Sequence, residues 1–148
     1  MAKRYDGVPV KNQDPIMKIM PYVMFDRTDA LNFNFEEIDC AILDQYIKEY
    51  TASQLSYMHV LIATFVRTMH KFPELNRFVV NGRLYQRKAV TMSFTVHRSL
   101  RGETAETVLK VSFQGTETIA QIAAALDKAI AENTAIGESN DTDELAKI

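Results

Sequence analysis

The pair Asn81-Gly82 constrains the fold of this chain more than any other two residues. Arg77-Phe78-Val79-Val80 precedes it and Arg83-Leu84-Tyr85-Gln86 follows. Asn and Gly both tolerate the positive φ that a type I′ turn requires, and that turn has the twist that brings two strands back antiparallel. The sequence therefore predicts a β-hairpin over 77–86. Pro73 stands just upstream. Proline lacks a backbone donor and disfavours helix in the residue before it, so a helix arriving from the N-terminal side must end near Phe72.

That helix is predicted to start at Ser53 or Ser56. Its apolar residues, Met58, Leu61, Ile62, Phe65, Val66 and Met69, cover more than one stripe, which predicts burial on more than one side. A shorter helix is expected before it, capped by Asp39. It carries Ile42, Leu43, Tyr46, Ile47 and Tyr50 at helical spacing, with Asp44, Lys48 and Glu49 on the other side. Leu31, Phe33 and Phe35 alternate with Asn32, Asn34 and Glu36, the pattern of a half-buried strand. Beyond the hairpin, Val90, Met92, Phe94 and Val96 alternate with Thr91, Ser93, Thr95 and His97 as a further strand. Arg101 to Glu106 reads as a polar loop, and Val108 to Phe113 as another strand. Thr118 opens the last helix, with Gln121 placed for a capping box. Ile119, Ile122, Ala123, Leu126 and Ile130 form its apolar face.

Three of the four prolines, Pro9, Pro15 and Pro21, crowd the first 21 residues together with Gly7. This predicts an N-terminal arm, 1–27, with little regular structure. Its Ile16, Met17, Ile19 and Met20 are expected to pack on the domain body. Residues 28–132 form the folded unit, and 133–148 read as an acidic linker or tail. The order strand, helix, helix, hairpin, strands, helix gives the fold class: α+β, a two-layer sandwich of a mixed sheet and covering helices.

Composition excludes several function classes. With 148 residues and a formal net charge of −2, the chain projects no strong field toward nucleic acid or an anionic membrane. No apolar run approaches the roughly 20 residues of a membrane span, and Met1 to Lys11 lacks the apolar core of a signal peptide. Cys40 is the only cysteine, so neither an internal disulfide nor a Cys-based metal site can form. A cytoplasmic location is the expectation.

The middle of the chain carries a family pattern. Leu55 to Val66 leads into Lys71-Phe72-Pro73-Glu74-Leu75-Asn76-Arg77-Phe78, which resembles the helix and Pro-Glu-Leu-Asn turn of the 2-oxo acid dehydrogenase acyltransferases. Chloramphenicol acetyltransferase has a similar helix and turn. Ile38-Asp39 resembles the strand end and helix start of that superfamily, and the Asn81-Gly82 hairpin and Thr95-Val96-His97 resemble the matching part of chloramphenicol acetyltransferase. The likeness runs from about Met17 to Ile130 and covers what would be the N-terminal half of the family domain.

The resemblance implies a trimeric fold with sites in channels between subunits. It also implies acyl transfer between coenzyme A, as a thioester cosubstrate, and a thiol or hydroxyl acceptor. A His general base takes the acceptor proton, and a hydroxyl donor stabilises the oxyanion. In the family that His lies in a His-His-x-x-x-Asp-Gly motif near the C-terminus. Here His59, His70 and His97 are the only histidines, and none begins such a motif. No catalytic residue is therefore assigned. The expectation is a chain without activity of its own and with its C-terminal half missing. The alternative is a non-catalytic oligomerisation or binding module on the same scaffold.

The candidate substrate-binding residues are Phe33, Phe94 and His97, with Phe35 beside Phe33. The plainer account of the aromatics is core, and of His97 a surface residue before a basic loop. Arg77, Arg83, Arg87 and Lys88 are candidates for the phosphates of coenzyme A, against the plainer account of exposed hairpin charge. His59 and His70 lie about three turns apart on one helix, too far to share a metal. Packing or exposure is expected for both.

Overall fold

The structure, a computed structural model, describes residues 4–26, 28–51, 54–97 and 106–134. In chain order these form β1 (Gly7–Pro9), α1 (Pro15–Val23), α2 (Ala41–Glu49), α3 (Tyr57–Lys71), β2 (Arg77–Val80), β3 (Arg83–Arg87), β4 (Val90–His97), β5 (Glu106–Phe113) and α4 (Ile119–Thr134). Short 3-10 turns occupy Thr28–Ala30 and Pro73–Asn76. The fold is α+β. Among the described residues, no helix is long and apolar enough to cross a membrane.

The Asn81-Gly82 turn forms as expected. Asn81 has φ 50° and Gly82 φ 69°, and β2 pairs β3 with Phe78 opposite Tyr85 and Val80 opposite Arg83. The rings of Phe78 and Tyr85 stack with centroids 5.6 Å apart. β1 joins the other edge of β3, giving the order β1-β3-β2. β4 and β5 form a separate antiparallel pair, in register from Val90–Phe113 to His97–Glu106. The expected mixed sheet is thus corrected: the described strand pairs are all antiparallel and fall into two small sheets. For β2 and β3 the cause is the two-residue Asn81-Gly82 turn, which admits only an antiparallel pair.

The core lies between the β4–β5 hairpin and two helices. Ile62, Ala63 and Val66 of α3 meet Ile122 and Leu126 of α4 over Val90 and Phe113. Each fully buried aliphatic side chain stabilises by about 1.5–3 kcal/mol. The alternation in β4 packs Met92 and Phe94 against this core, leaves Val96 half-buried, and leaves Thr91, Ser93, Thr95 and His97 exposed. Helix α3 ends where Pro73 requires, with the Phe72 N–H reaching the Thr68 carbonyl at 2.8 Å. Its burial is narrower than its composition suggests. Met58, Leu61 and Phe65 are exposed, and one face only is covered by the described residues. At α4 the Thr118 N–H donates to Gln121 Oε1 at 2.8 Å, and the Gln121 N–H to Thr118 Oγ at 3.3 Å, the expected capping box.

The N-terminal segment carries more structure than its prolines suggest. Asp14 accepts a hydrogen bond from the Ile16 N–H at 3.0 Å and so caps α1. Pro15 takes the first helical position, where its missing donor costs nothing and its fixed φ helps. Pro9 lies in an edge strand, where proline is tolerated. Ile16, Met17 and Ile19 do not pack on the body; they are exposed. Tyr22 makes the contact instead: a Cβ on Gly82 would lie 2.8 Å from its hydroxyl.

The strand expected over Leu31–Glu36 is not formed. Residues 31–40 have no regular structure and are exposed. Alternation does set the side chains, since Phe33 and Phe35 stack with centroids 6.5 Å apart. A strand needs a hydrogen-bonded neighbour as well, and no described strand pairs with this segment. At α2 the N-cap is Cys40, without a side-chain cap, and not the expected Asp39; one residue earlier, the Asp39 carboxylate still accepts from the Ala41 N–H at 2.9 Å and satisfies one donor of the first turn. The 101–105 part of the polar loop and most of the 133–148 tail lie outside the described residues.

Candidate functional site

The chemistry begins with the core stripe of α3. His59, Ile62, Ala63 and Val66 follow at i, i+3, i+4 and i+7, the spacing of one helical face. His59 is therefore carried inward and is only 7% exposed. A buried polar group must find partners, and His59 has them on both ring nitrogens. Nδ1 accepts the Ser56 N–H at 3.1 Å, and Ser56 Oγ also lies 3.2 Å from it. Nε2 lies 3.1 Å from Asp127 Oδ1 on α4. A backbone N–H can only donate, so Nδ1 holds the lone pair. The ring proton is then on Nε2, where it donates to the carboxylate.

Ser56 is the N-cap of α3, and its Oγ accepts the His59 N–H at 3.4 Å. The pair forms a capping box in which His replaces the customary Glu or Gln. An open groove of about 440 Å³ runs alongside. Leu55, Met58, Phe94, Leu126 and Ile130 line it, and Ser56, His59 and Asp127 form its polar part. Its apolar walls and few convergent polar groups are the composition of a small-molecule site.

A second cleft, of about 510 Å³, lies between α3 and the start of α4. Val60, Ala63, Ile119 and Ile122 line it, with Arg67 and Glu117 among its charged residues. Glu117 accepts the N–H groups of Gln114 at 2.6 Å and Gly115 at 2.8 Å. Burial opposes its charge, but these and neighbouring backbone N–H groups outweigh burial and hold the carboxyl below the ordinary glutamate range.

Of the three candidate substrate residues, Phe94 lines the groove. Phe33 is 73% exposed and lines neither cleft. His97 ends β4 with Nδ1 3.6 Å from the Glu106 carboxylate. The three are not brought together as one pocket. Among the basic candidates, Arg77 is held by Gln86 at 3.0 Å and Glu74 at 3.2 Å. Arg87 lies over the Phe78 ring at 4.4 Å, and Lys88 donates to the Tyr5 carbonyl at 2.8 Å. His70 is exposed and abuts Gly115. Sequence reasoning missed Ser56, His59 and Asp127 as a group. The Ser-x-x-His spacing at a helix start was its one local signal.

No known protein family, curated protein or solved structure matches this chain.

Proposed function

We propose that the chain is part of an acyltransferase-like unit. That unit moves an acyl group from a coenzyme A thioester to a thiol or hydroxyl acceptor, and the chain lacks this transfer activity by itself. One observation carries the reading: the ordered run from Ile38-Asp39 through Pro73-Glu74-Leu75-Asn76 to Thr95-Val96-His97. The succession of α2, α3, the 3-10 turn, the β2–β3 hairpin and β4 supports it. The lack of activity follows from chemistry. Acyl transfer of this kind needs a positioned base, and no His-x-x-x-Asp-Gly occurs in these 148 residues. In this reading the His base that serves the coenzyme A reaction is supplied by a motif-bearing segment joined to them. The trimeric assembly and the coenzyme A cosubstrate belong to the same proposal.

The test is to read the coding DNA around this segment for His-x-x-x-Asp-Gly, then to assay acetyl-coenzyme A consumption with dithiol and hydroxyl acceptors. The expected result is no acceptor-dependent release of coenzyme A from the 148 residues, and release once the motif-bearing segment is joined to them. Absence of the motif in every frame, or transfer by the chain alone, would overturn the reading.

The exposed apolar surface of α1, α2 and the 31–38 segment favours a second reading, a non-catalytic oligomerisation or binding module. Exposed apolar patches of this kind mark interaction surfaces, and Ile42 is 83% exposed. Light scattering after size exclusion separates the two readings. A discrete oligomer that does not bind coenzyme A supports the module; aggregation of the isolated chain speaks against it.

A further inference from the structure

We propose that Ser56, His59 and Asp127 form a nucleophilic site that accepts the acyl group of small, activated esters held in the neighbouring apolar groove. This goes beyond the acyltransferase reading and does not depend on it, since it uses neither coenzyme A nor the absent motif.

The geometry assigns the roles. The lone pair of His59 Nδ1 faces Ser56 Oγ at 3.2 Å, within reach for proton transfer. The opposite nitrogen is held by the Asp127 carboxylate at 3.1 Å, which fixes the tautomer and the ring's orientation. These are the roles of a Ser-His-Asp triad with the two ring nitrogens exchanged. The Tyr57 and Met58 N–H groups open α3 and have no carbonyl partner within it. They lie beside Ser56 at the positive end of the helix and are available to an oxyanion. Leu55, Met58, Phe94, Leu126 and Ile130 offer an apolar acyl chain its seat. A capping box accounts for Ser56 and His59 alone. It does not require a carboxylate from another helix on Nε2, nor an apolar groove opening at the cap.

The steps balance. Ser56 Oγ bonds to the ester carbonyl carbon while its proton passes to His59 Nδ1. The bond from that carbon to the leaving oxygen then breaks, and the leaving group departs with the proton. The acyl group stays on Oγ as an ester. Water next adds to the same carbon, giving a proton to Nδ1. That proton returns to Oγ as the acyl–Oγ bond breaks, releasing the carboxylic acid. Nδ1 also accepts the Ser56 N–H at 3.1 Å, so the protonated ring meets a second donor there. This opposition restricts the site to good leaving groups and makes turnover slow.

The experiment uses p-nitrophenyl acetate and butyrate with the chain carrying Cys40→Ser, which removes the exposed thiol as a competing nucleophile. Nitrophenolate release is followed, and acid-quenched protein is mapped by peptide mass. The expected result is a burst approaching one acyl group per chain, located on Ser56, then slow turnover, with butyrate reacting faster than acetate. Two variants keep the helix start intact: Ser56→Asp still caps, and His59→Gln restores the usual capping-box partner. Ser56→Asp should abolish the adduct, and His59→Gln should slow acylation by roughly 100-fold, the scale of general-base catalysis. No adduct on Ser56 in the starting protein, or equal acylation in His59→Gln, overturns the proposal.

Discussion

His59 on α3 and Asp127 on α4 stand 68 positions apart and meet at 3.1 Å, so one hydrogen bond ties the first turn of one core helix to the middle of the other. The partners are unequally placed. The His59 side chain is 9% exposed and that of Asp127 62%. Removing the buried partner leaves the Ser56 N–H without its acceptor and opens space beside Leu126. Removing the exposed partner leaves a ring nitrogen that water can reach. His59→Ala is therefore expected to cost about 2–3 kcal/mol, and Asp127→Ala less than about 1 kcal/mol. Urea denaturation midpoints at constant m-value measure both. Equal losses would show that the pair, and not the burial of His59, carries the stability.

Gly115 is held at φ +95°, a conformation that side chains rarely adopt. An added Cβ would lie 2.5 Å from His70 Nδ1. Gly115→Ala should therefore destabilise by about 1–3 kcal/mol. The ring's share of the clash is measured in a double variant. His70→Ala removes the ring, but its own Cβ still lies 2.7 Å from the added one and the backbone stays strained, so Gly115→Ala with His70→Ala should recover only part of the loss. Full recovery in thermal melts would show that the contact with the His70 ring alone matters.

What the sequence made legible was local. The Asn81-Gly82 turn, the stop at Pro73, the Thr118–Gln121 box and the β4 alternation each depend on neighbours within a few residues. Each is found in the structure. What was hidden depended on distant partners. Leu31, Phe33 and Phe35 have a strand's alternation but no strand beside them. β1 forms because β3 offers an edge some eighty positions away. Pro15 and Pro21 read as breakers, yet Pro15 begins α1, because a proline's effect depends on its position in the helix. His59 was visible as a helix residue, but its role required knowing that Asp127 would come alongside.

Glu117 predicts an acid-side loss of stability. Its carboxyl is held below the ordinary glutamate range in the folded chain, so between the two values the unfolded chain binds more protons. Stability then rises with pH across that interval. The contribution is complete above the ordinary glutamate value of about 4.3 and is lost as pH falls through the folded value. Glu117→Gln keeps an acceptor but not the charge. It should lower stability by about 1 kcal/mol at pH 7 and flatten the acid-side slope. Denaturation midpoints from pH 7 to pH 3 would check this, and an unchanged slope in the variant would assign the acid sensitivity to other carboxylates.

The last prediction concerns what covers the apolar exterior. Ile122 is 1% exposed and sits among Ile62, Val66 and Phe113, whereas Ile42 is 83% exposed on α2. If the isolated chain is the functional form, the two should respond oppositely to truncation. Ile122→Ala should cost about 2–5 kcal/mol through lost contacts and a cavity, and Ile42→Ala should fall within about 0.5 kcal/mol of the parent. If α2 is instead covered by another copy or another segment, Ile42→Ala gains a cost of its own, because truncation then removes buried area. That cost should depend on protein concentration, since association contributes to apparent stability by mass action. Midpoints for both variants at two concentrations a hundredfold apart separate the cases. A concentration-dependent loss for Ile42→Ala, with Ile122→Ala destabilised at both, would place α2 in an interface and Ile122 in the chain's own core.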